Sequence, residues 1–181
     1  MIILIGPSAS GKTEIAKILI SSFGFKKFVT TTTREMRKGE INNVDYHFIS
    51  KEQFEEYKEQ NLFIETVCYG KNYYGTYKAE IDNNKVLIVE PTGLQEFLKL
   101  NDPSIISFYI DCDEDLRKSR MINRGDKIED VEARIQLDRS HFGERYFSQV
   151  DFVIENTSET TLQELALKIH SLYINKINKK G

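Results

Sequence analysis

The chain has 181 residues, a length that fits one domain able to bury a sizeable core. Its 25 Lys and Arg residues are nearly matched by 28 Asp and Glu residues, and the net charge of -3 excludes a general attraction to nucleic acid or anionic membranes. The two cysteines, Cys68 and Cys112, lack the spacing of a zinc site or a disulfide framework, so we expect reduced thiols.

The first segment reads as a strand, a glycine loop and a helix. A continuous apolar run, Ile2–Ile5, ends at Gly6, and apolar residues at helical spacing follow from Lys12 onward. No basic leader precedes the run, and no later apolar stretch approaches the ~18 residues of a membrane span. We therefore expect a cytoplasmic protein.

The loop after this strand fits the phosphate-binding pattern G-x-x-x-x-G-K-[ST]. Its residues are Gly6, Pro7, Ser8, Ala9, Ser10, Gly11, Lys12 and Thr13. In such loops, backbone N–H groups converge on phosphate oxygens, the lysine neutralises the β- and γ-phosphates, and the hydroxyl of the last residue binds Mg²⁺. The alternative is a chance match on a glycine turn. The pattern predicts a nucleoside triphosphate site without saying which reaction it serves.

Further strands and helices are predicted to alternate along the chain. Runs rich in β-branched and aromatic residues predict strands at residues 27–31, 86–89, 105–110 and 152–154. Helix starts are predicted at Ser50, with Gln53 three residues later, at Asp113 and at Ser158. This order predicts an α/β fold whose mostly parallel sheet is covered on both faces. Short segments broken by Gly and Asn between residues 33 and 82 predict a small mixed insert.

A second motif begins at the end of the strand predicted at residues 27–31. Residues 30–40 read T-T-T-T-R-E-M-R-K-G-E, and residues 45–48 read D-Y-H-F. This motif resembles the acceptor loop of the guanylate kinase family, which has the form S/T-x-T-R-x-x-R-x-G-E followed by D-Y-x-F. The resemblance continues through F-I-E at residues 63–65, N-Y-Y-G-T at residues 72–76 and an arginine-rich segment near Arg124, so it spans nearly the whole chain.

This resemblance implies a single domain with the three-layer P-loop kinase fold. The implied core comprises residues 1–32, 83–123 and 131–181, the acceptor-nucleotide insert residues 33–82, and the helical lid about residues 124–130. The implied reaction transfers the γ-phosphoryl group of Mg-ATP to GMP, and to dGMP, giving ADP and GDP. The implied partners are ATP and GMP, without nucleic acid or membrane, and the implied assembly is a monomer or a weak homodimer.

The acceptor loop has the chemistry of a monophosphate site. Arg34 and Arg37 can fork onto one phosphate dianion, and the hydroxyl of Tyr46 or Tyr74 can complete its hydrogen bonds. The alternative is a solvated charged turn whose aromatic residues form the core of the insert.

Glu65 is the candidate for recognition of the base. It lies in a short apolar segment, where a carboxylate is unfavourable unless donors face it, and guanine offers two adjacent donors. The resemblance implies that Glu65 accepts from this edge while Thr30 and Thr76 give hydroxyls to the base. It adds Gly75 and Glu90 to the GMP site. The alternative is a strand glutamate that faces water.

The lid arginines form the last group. The resemblance implies that Arg120, Arg124 and Arg134 close over the phosphates, with Arg120 and Arg124 binding ATP. The predicted catalytic residues are Lys12, Arg34, Arg120 and Arg134, because phosphoryl transfer needs cations around the transferred group. The alternative is an exposed helix whose charges pair along its own surface.

One segment departs from the family pattern. Where the family has L-D-I-D-x-Q-G, residues 87–93 read L-I-V-E-P-T-G, so that Ile88, Glu90 and Thr92 replace two acidic residues and a glutamine. Two alternatives therefore stay open. One is a related kinase acting on another small phosphorylated acceptor, such as a different nucleotide or a ribose phosphate. The other is a non-catalytic binding module, against which the intact Lys12 and Thr13 argue.

Overall fold

The computed structural model describes residues 1–179, apart from the side chain of Tyr69. The strands are β1 (Ile2–Ile5), β2 (Lys26–Lys27), β3 (Thr31–Thr32), β4 (His47–Phe48), β5 (Phe63–Tyr69), β6 (Asn72–Tyr77), β7 (Lys85–Ile88), β8 (Ile106–Asp111) and β9 (Phe152–Glu155). The helices are α1 (Lys12–Phe23), α2 (Lys51–Glu59), α3 (Pro91–Leu98), α4 (Glu114–Asn123), α5 (Ile128–His141) and α6 (Leu162–Asn178), and short 3-10 turns lie at Lys78–Glu80 and Glu144–Tyr146.

The central sheet is parallel throughout. Within the described residues it has five strands in the order β2-β7-β1-β8-β9. Strand β1 is completely buried, which explains its continuous apolar sequence, since a central parallel strand is covered on both faces. All carboxyl ends lie at one edge of the sheet, where open α/β folds bind their ligands.

Helices cover both faces of this sheet. On one face, Leu4 and Phe108 belong to the core cluster that includes Ile15 of α1 and Ile169 of α6. On the other face, the cluster around Ile3 and Tyr109 includes Leu94 and Phe97 of α3. The predicted three-layer α/β fold with a mostly parallel sheet is therefore confirmed.

A second, mixed sheet lies in the segment between β2 and β7. Over the described residues its strand order is β4-β3-β6-β5, with β3 parallel to β4 and antiparallel to β6. Helix α2 packs on it through Phe54, whose ring centroid lies 4.6 Å from that of Phe63 and 5.4 Å from that of Tyr73. The predicted start of α2 is confirmed, because Ser50 and Gln53 form a reciprocal capping box.

Two predicted boundaries are wrong. The single strand predicted at residues 27–31 is divided, because the chain crosses from one sheet to the other there. The Phe28 N–H still bonds to Val86 O at 3.0 Å in the central sheet, whereas Thr30 O accepts from His47 N at 2.9 Å in the second sheet.

The start of the last helix is the second error. Helix α6 is capped by Thr161, whose hydroxyl accepts from Glu164 N at 3.2 Å while the Glu164 carboxylate accepts from Thr161 N at 2.8 Å. Ser158 lies three residues earlier in a bend.

The predicted cap of α4 is confirmed, since Asp113 accepts from the backbone N–H groups of Asp115 and Leu116. In the part of the chain that the structure describes, no helix is long and apolar enough to cross a membrane.

Candidate active site

The phosphate loop connects β1 to α1 at the ligand-binding edge of the central sheet. Gly11 has φ +103°, and a Cβ atom there would lie 2.6 Å from Asn156 Nδ2, so the loop needs glycine at this position. Asn156 in turn donates to Ser10 O at 2.7 Å. The ammonium of Lys12 lies over the loop and donates to Gly6 O at 2.6 Å and Pro7 O at 2.7 Å.

The ammonium group of Lys12 is largely buried from water. Burial lowers the pKa of Lys12 to about 8, while the carboxylates of Glu90 and Asp138 partly oppose this shift and Arg117 adds to it. An anion bound beside the ammonium would favour its charged form. The loop is therefore suited to a strongly anionic ligand such as a polyphosphate.

A cavity of about 310 Å³ opens at the loop. Its lining residues are Ala9, Ser10, Gly11, Lys12, Thr13, Glu14, Arg120, Arg124 and Leu162. Arg120 is fixed there by Ala9 O at 3.4 Å, Asn156 Oδ1 at 3.0 Å and Cys112 Sγ at 3.4 Å. Both arginines predicted to bind ATP therefore lie beside the phosphate loop.

The other lid arginine is further from this cavity. Arg134 is not among its lining residues, and its Nη1 lies 3.5 Å from Asp126 Oδ2. Asp126 also accepts from Arg124 Nε at 2.9 Å, and this hydrogen bond holds the pKa of Asp126 below its usual range. In this conformation the Asp126 carboxylate forms ion pairs with Arg124 and Arg134, two of the three predicted lid arginines.

A larger cavity, of about 520 Å³, lies between the second sheet and the end of β7. It is lined by Thr30, Tyr46, Glu65, Val67, Tyr74, Gly75, Thr76, Leu87, Ile88, Val89, Glu90, Thr92 and Gly93. Seven of the nine residues predicted to bind GMP are in this set, and so are the three positions that depart from the family pattern.

Glu65 is one of the two carboxylates that line this cavity, the other being Glu90. It accepts a hydrogen bond from Thr76 Oγ1 at 3.1 Å. A Cβ atom on Gly93 would lie 3.2 Å from Glu65 Oε1, so the missing side chain leaves room for the carboxylate. Burial raises the pKa of Glu65, against the opposing hydrogen bond from Thr76. Further donors aimed at this carboxylate would stabilise its charge.

The two arginines of the acceptor loop, Arg34 and Arg37, both bond to Glu40. Arg34 forms a forked pair with Glu40, at 2.6 and 3.0 Å, and its guanidinium lies 5.5 Å from the centre of the Tyr46 ring. The hydrogen bond to Glu40 is the main cause that raises the pKa of Arg34. The backbone N–H of Arg37 donates to the same carboxylate at 2.7 Å, and neither Arg34 nor Arg37 is among the lining residues of the cavity.

The two cavities are neighbours. Strands β1 and β7 pair in register, with Leu4 opposite Ile88, so the loops that follow them leave the sheet side by side. Glu90 lines the larger cavity, and its charge also acts on Lys12 in the smaller one. A phosphate group in each cavity could therefore approach the other near Lys12 and Glu90.

Three residues at this site were not predicted from the sequence. Asn156 and Arg117 are buried, as is Asp138, which accepts from Ser8 N at 3.0 Å. The position of Asn156 directly after a strand was an available signal, since the carboxyl ends of parallel strands are where α/β folds place polar ligand-binding groups. Arg117 and Asp138 lie on charged helices, where the sequence gives no sign of burial.

Thr13 is the predicted metal ligand, and it lines the same cavity as Lys12. Within residues 1–179, no group of three or more His, Cys, Asp and Glu side chains could hold a metal ion. A single hydroxyl beside a phosphate site fits a cation that arrives bound to the nucleotide.

Comparison with known proteins agrees with this geometry. The sequence model of the family described as guanylate kinase matches residues 1–172. The protein has a parallel sheet with a phosphate loop after its first strand. Together with the family match, this defines an enzyme of the ATP-dependent nucleoside-monophosphate kinase class. The chain belongs to the guanylate kinase family.

Similar proteins cover almost the whole chain. The guanylate kinase of Wolinella succinogenes is 31% identical, with 97% of this chain and 85% of that protein aligned. The guanylate kinase of Chlorobium luteolum is 32% identical, with 97% and 93% aligned. The crystal structure of the guanylate kinase from Anaplasma phagocytophilum covers 97% of this chain and 85% of its own, with a TM-score of 0.66 and 21% identity, and supports the fold.

Proposed function

We propose that the protein transfers the γ-phosphoryl group of ATP to GMP, and also to dGMP, giving ADP and GDP. The observation that carries this proposal is the pair of adjacent cavities, one at the phosphate loop and one around Glu65, where Glu90 lines the second and its charge acts on Lys12 in the first. The similarity to named guanylate kinases supports the same acceptor.

In this proposal, ATP occupies the smaller cavity with its phosphates against the loop N–H groups, Lys12 and Arg120. GMP occupies the larger cavity, with its phosphate near Arg34 and its base at Glu65, which accepts hydrogen bonds from the guanine ring N–H and amino group. Thr30 and Thr76 add hydroxyl contacts to the base. The Glu65 carboxylate and these hydroxyls give guanine the donors and acceptors that its edge requires.

The reaction needs no covalent bond to the protein. An oxygen of the GMP phosphate attacks the γ-phosphorus, and the bond from that phosphorus to the β-phosphate oxygen breaks, releasing ADP. Lys12, Arg34, Arg120 and Arg134 balance the charge of the transferred group. Mg²⁺ bound with ATP at Thr13 would neutralise phosphate charge.

We also propose the division of labour within the chain. Residues 33–82 form the acceptor insert and about residues 124–130 form the lid, on a core of residues 1–32, 83–123 and 131–181. We propose a cytoplasmic monomer or weak homodimer that acts on free nucleotides.

The lining of the larger cavity supports a second candidate acceptor. Ile88 and Thr92 line the larger cavity, where they replace an acidic residue and a glutamine of the family pattern. A kinase for another small phosphorylated acceptor is therefore the second candidate.

A panel of acceptors tests the proposal. ADP formation from Mg-ATP is measured with GMP, dGMP, AMP, CMP, UMP and ribose phosphates, and Lys12→Ala serves as the inactive control. We expect turnover with GMP and dGMP. Turnover confined to a non-guanine acceptor would favour the second candidate, and no turnover with any acceptor would favour a binding module.

Glu65→Gln tests the placement of the base. The substitution keeps the size of the side chain but replaces an acceptor of two hydrogen bonds by a mixed donor and acceptor. Because hydrogen bonds to a charged group contribute about 1.5 to 3 kcal/mol, we expect KM for GMP to rise about ten- to a hundredfold, with KM for ATP little changed. Equal effects on both substrates would remove Glu65 from the base site.

A further inference from the structure

The helices that carry the lid arginines are joined by a buried ion pair. Arg117 of α4 donates from Nη1 to Asp138 Oδ2 of α5 at 2.7 Å, and the two side chains are only 7% and 5% exposed. Nearby, Met121, Val131 and Ile135 of the same helices form a small apolar cluster against Ala9 of the phosphate loop. The pair is therefore enclosed between the two helices and the loop.

Both members of the pair also hold Ser8 of the phosphate loop. Asp138 accepts from Ser8 N at 3.0 Å and from Ser8 Oγ at 3.1 Å. Arg117 Nη1 donates to Ser8 O at 3.3 Å, and its Nε donates to Cys112 O, at the end of β8, at 3.2 Å. The N–H, the hydroxyl and the carbonyl of Ser8 thus all bond to this pair.

Stability alone does not account for such a pair. Removing two charges from water is unfavourable, and apolar residues of similar size often give equal or greater stability at such positions. The two helices also have a second ion pair, Glu114 with Arg139 at 2.6 Å, which lies at the surface with side chains 27% and 58% exposed. What distinguishes the buried pair is its contact with the phosphate loop.

The helical spacing extends this contact to the lid. Asp138 lies one helical turn after Arg134 on α5, and Arg120 follows Arg117 by three residues on α4, so each pair shares one face of its helix. The hydrogen bonds to Ser8 therefore also fix the positions of Arg120 and Arg134 relative to the phosphate loop and to a triphosphate bound there.

We propose that Arg117 and Asp138 are positioning residues that hold Ser8 and thereby set the phosphate loop against the lid helices for ATP binding. The proposal rests on the proposed function of the site, since it assigns the pair to the ATP half of the reaction. Neither residue lines either cavity, but both bond to Ser8 of the phosphate loop and neither contacts the acceptor cavity, so the proposal predicts a selective effect on ATP.

The test replaces the pair without leaving a buried charge. Arg117→Met/Asp138→Leu fills the same space with apolar side chains, so we expect its thermal midpoint to stay close to that of the wild type. We expect KM and Kd for ATP to rise about tenfold and KM for GMP to change less than about twofold. The matched control is Glu114→Gln/Arg139→Gln, which removes the surface pair between the same helices and should leave all three constants unchanged.

The outcomes separate positioning from stability. A double variant that keeps its thermal midpoint and also the wild-type KM for ATP would overturn the proposal, as would equal increases of KM for both substrates. If the double variant does not fold, Ser8→Ala tests the proposal instead, because it removes only the hydrogen bond from the Ser8 hydroxyl to Asp138. We expect a rise of about threefold in KM for ATP with an unchanged thermal midpoint, and no rise would overturn the proposal.

Failure of the proposed function would give a different result. Wild-type turnover with ATP and GMP is measured first and tests that function directly. The Kd for ATP, measured by calorimetry without any acceptor, compares the variants even if the acceptor is not GMP.

Discussion

Lys12 shows how one residue can make ATP binding depend on pH. Its pKa in the ligand-free protein is lowered by burial to about 8, so the side chain is charged below that pH and neutral above it. Bound phosphate favours the charged form, which raises the pKa of Lys12 in the complex. Affinity for ATP should therefore be lost as the pH rises through the pKa of the free protein.

We expect Kd for ATP to increase about tenfold between about pH 7.5 and about pH 9, with proton uptake on binding in the upper part of this range. Calorimetry in buffers of different ionisation enthalpy measures both quantities. In Lys12→Arg, whose side chain stays charged, the remaining affinity should not follow this pH dependence. A wild-type Kd that is constant over the same range would contradict the assigned pKa.

At the level of single residues, local motifs could be predicted from the sequence and long-range partners could not. The phosphate loop and the cluster of Glu65, Tyr74 and Thr76 each lie within a short segment with a recognisable pattern. Asp138 is separated from its partner Ser8 by 130 positions. No periodicity marks a charged helix residue that is buried only after the chain has folded.

At the level of elements, helix α6 begins later than the sequence predicted. Thr161 and Glu164 form its capping box, whereas Ser158 is not part of it. We expect Thr161→Ala to lower the free energy of unfolding by about 1 kcal/mol without changing KM for either substrate. Denaturant unfolding measures this, with Ser158→Ala as the matched control.

Ser158→Ala should change the free energy of unfolding by less than about 0.5 kcal/mol. If instead Ser158→Ala destabilised the protein as much as Thr161→Ala, the cap would belong to the earlier position that the sequence first suggested. The error had a local cause, because residues 158–161 read S-E-T-T and contain several residues suited to capping.

The divided strand at residues 26–32 has a different cause. Hydrophobic and β-branched residues predict extended backbone but not the partner strand, and this segment changes partners between β7 and β6. Sheet membership depends on pairing between distant segments, which strand patterns alone do not specify. The change of partner brings Thr30 into the lining of the larger cavity.

At the level of the whole molecule, the proposed reaction requires two sites that share one cleft. The order of the central sheet places β7 beside β1, so the acceptor segment after β7 and the phosphate loop after β1 leave the same edge together. The loop pattern predicted the triphosphate site from the sequence, and the family resemblance predicted the acceptor site and a reaction that requires the two sites to be adjacent. The strand order that produces this adjacency becomes visible only in the folded chain.

Binding of a bisubstrate compound tests this adjacency most directly. In such a compound, a chain of phosphates joins adenosine to guanosine, so that one molecule can occupy both cavities. We expect it to bind at least about a hundredfold more tightly than ATP alone, because the second half binds at high effective concentration, and to exclude both ATP and GMP. An affinity no greater than that for ATP, with GMP still binding to the complex, would show that the two cavities do not form one site.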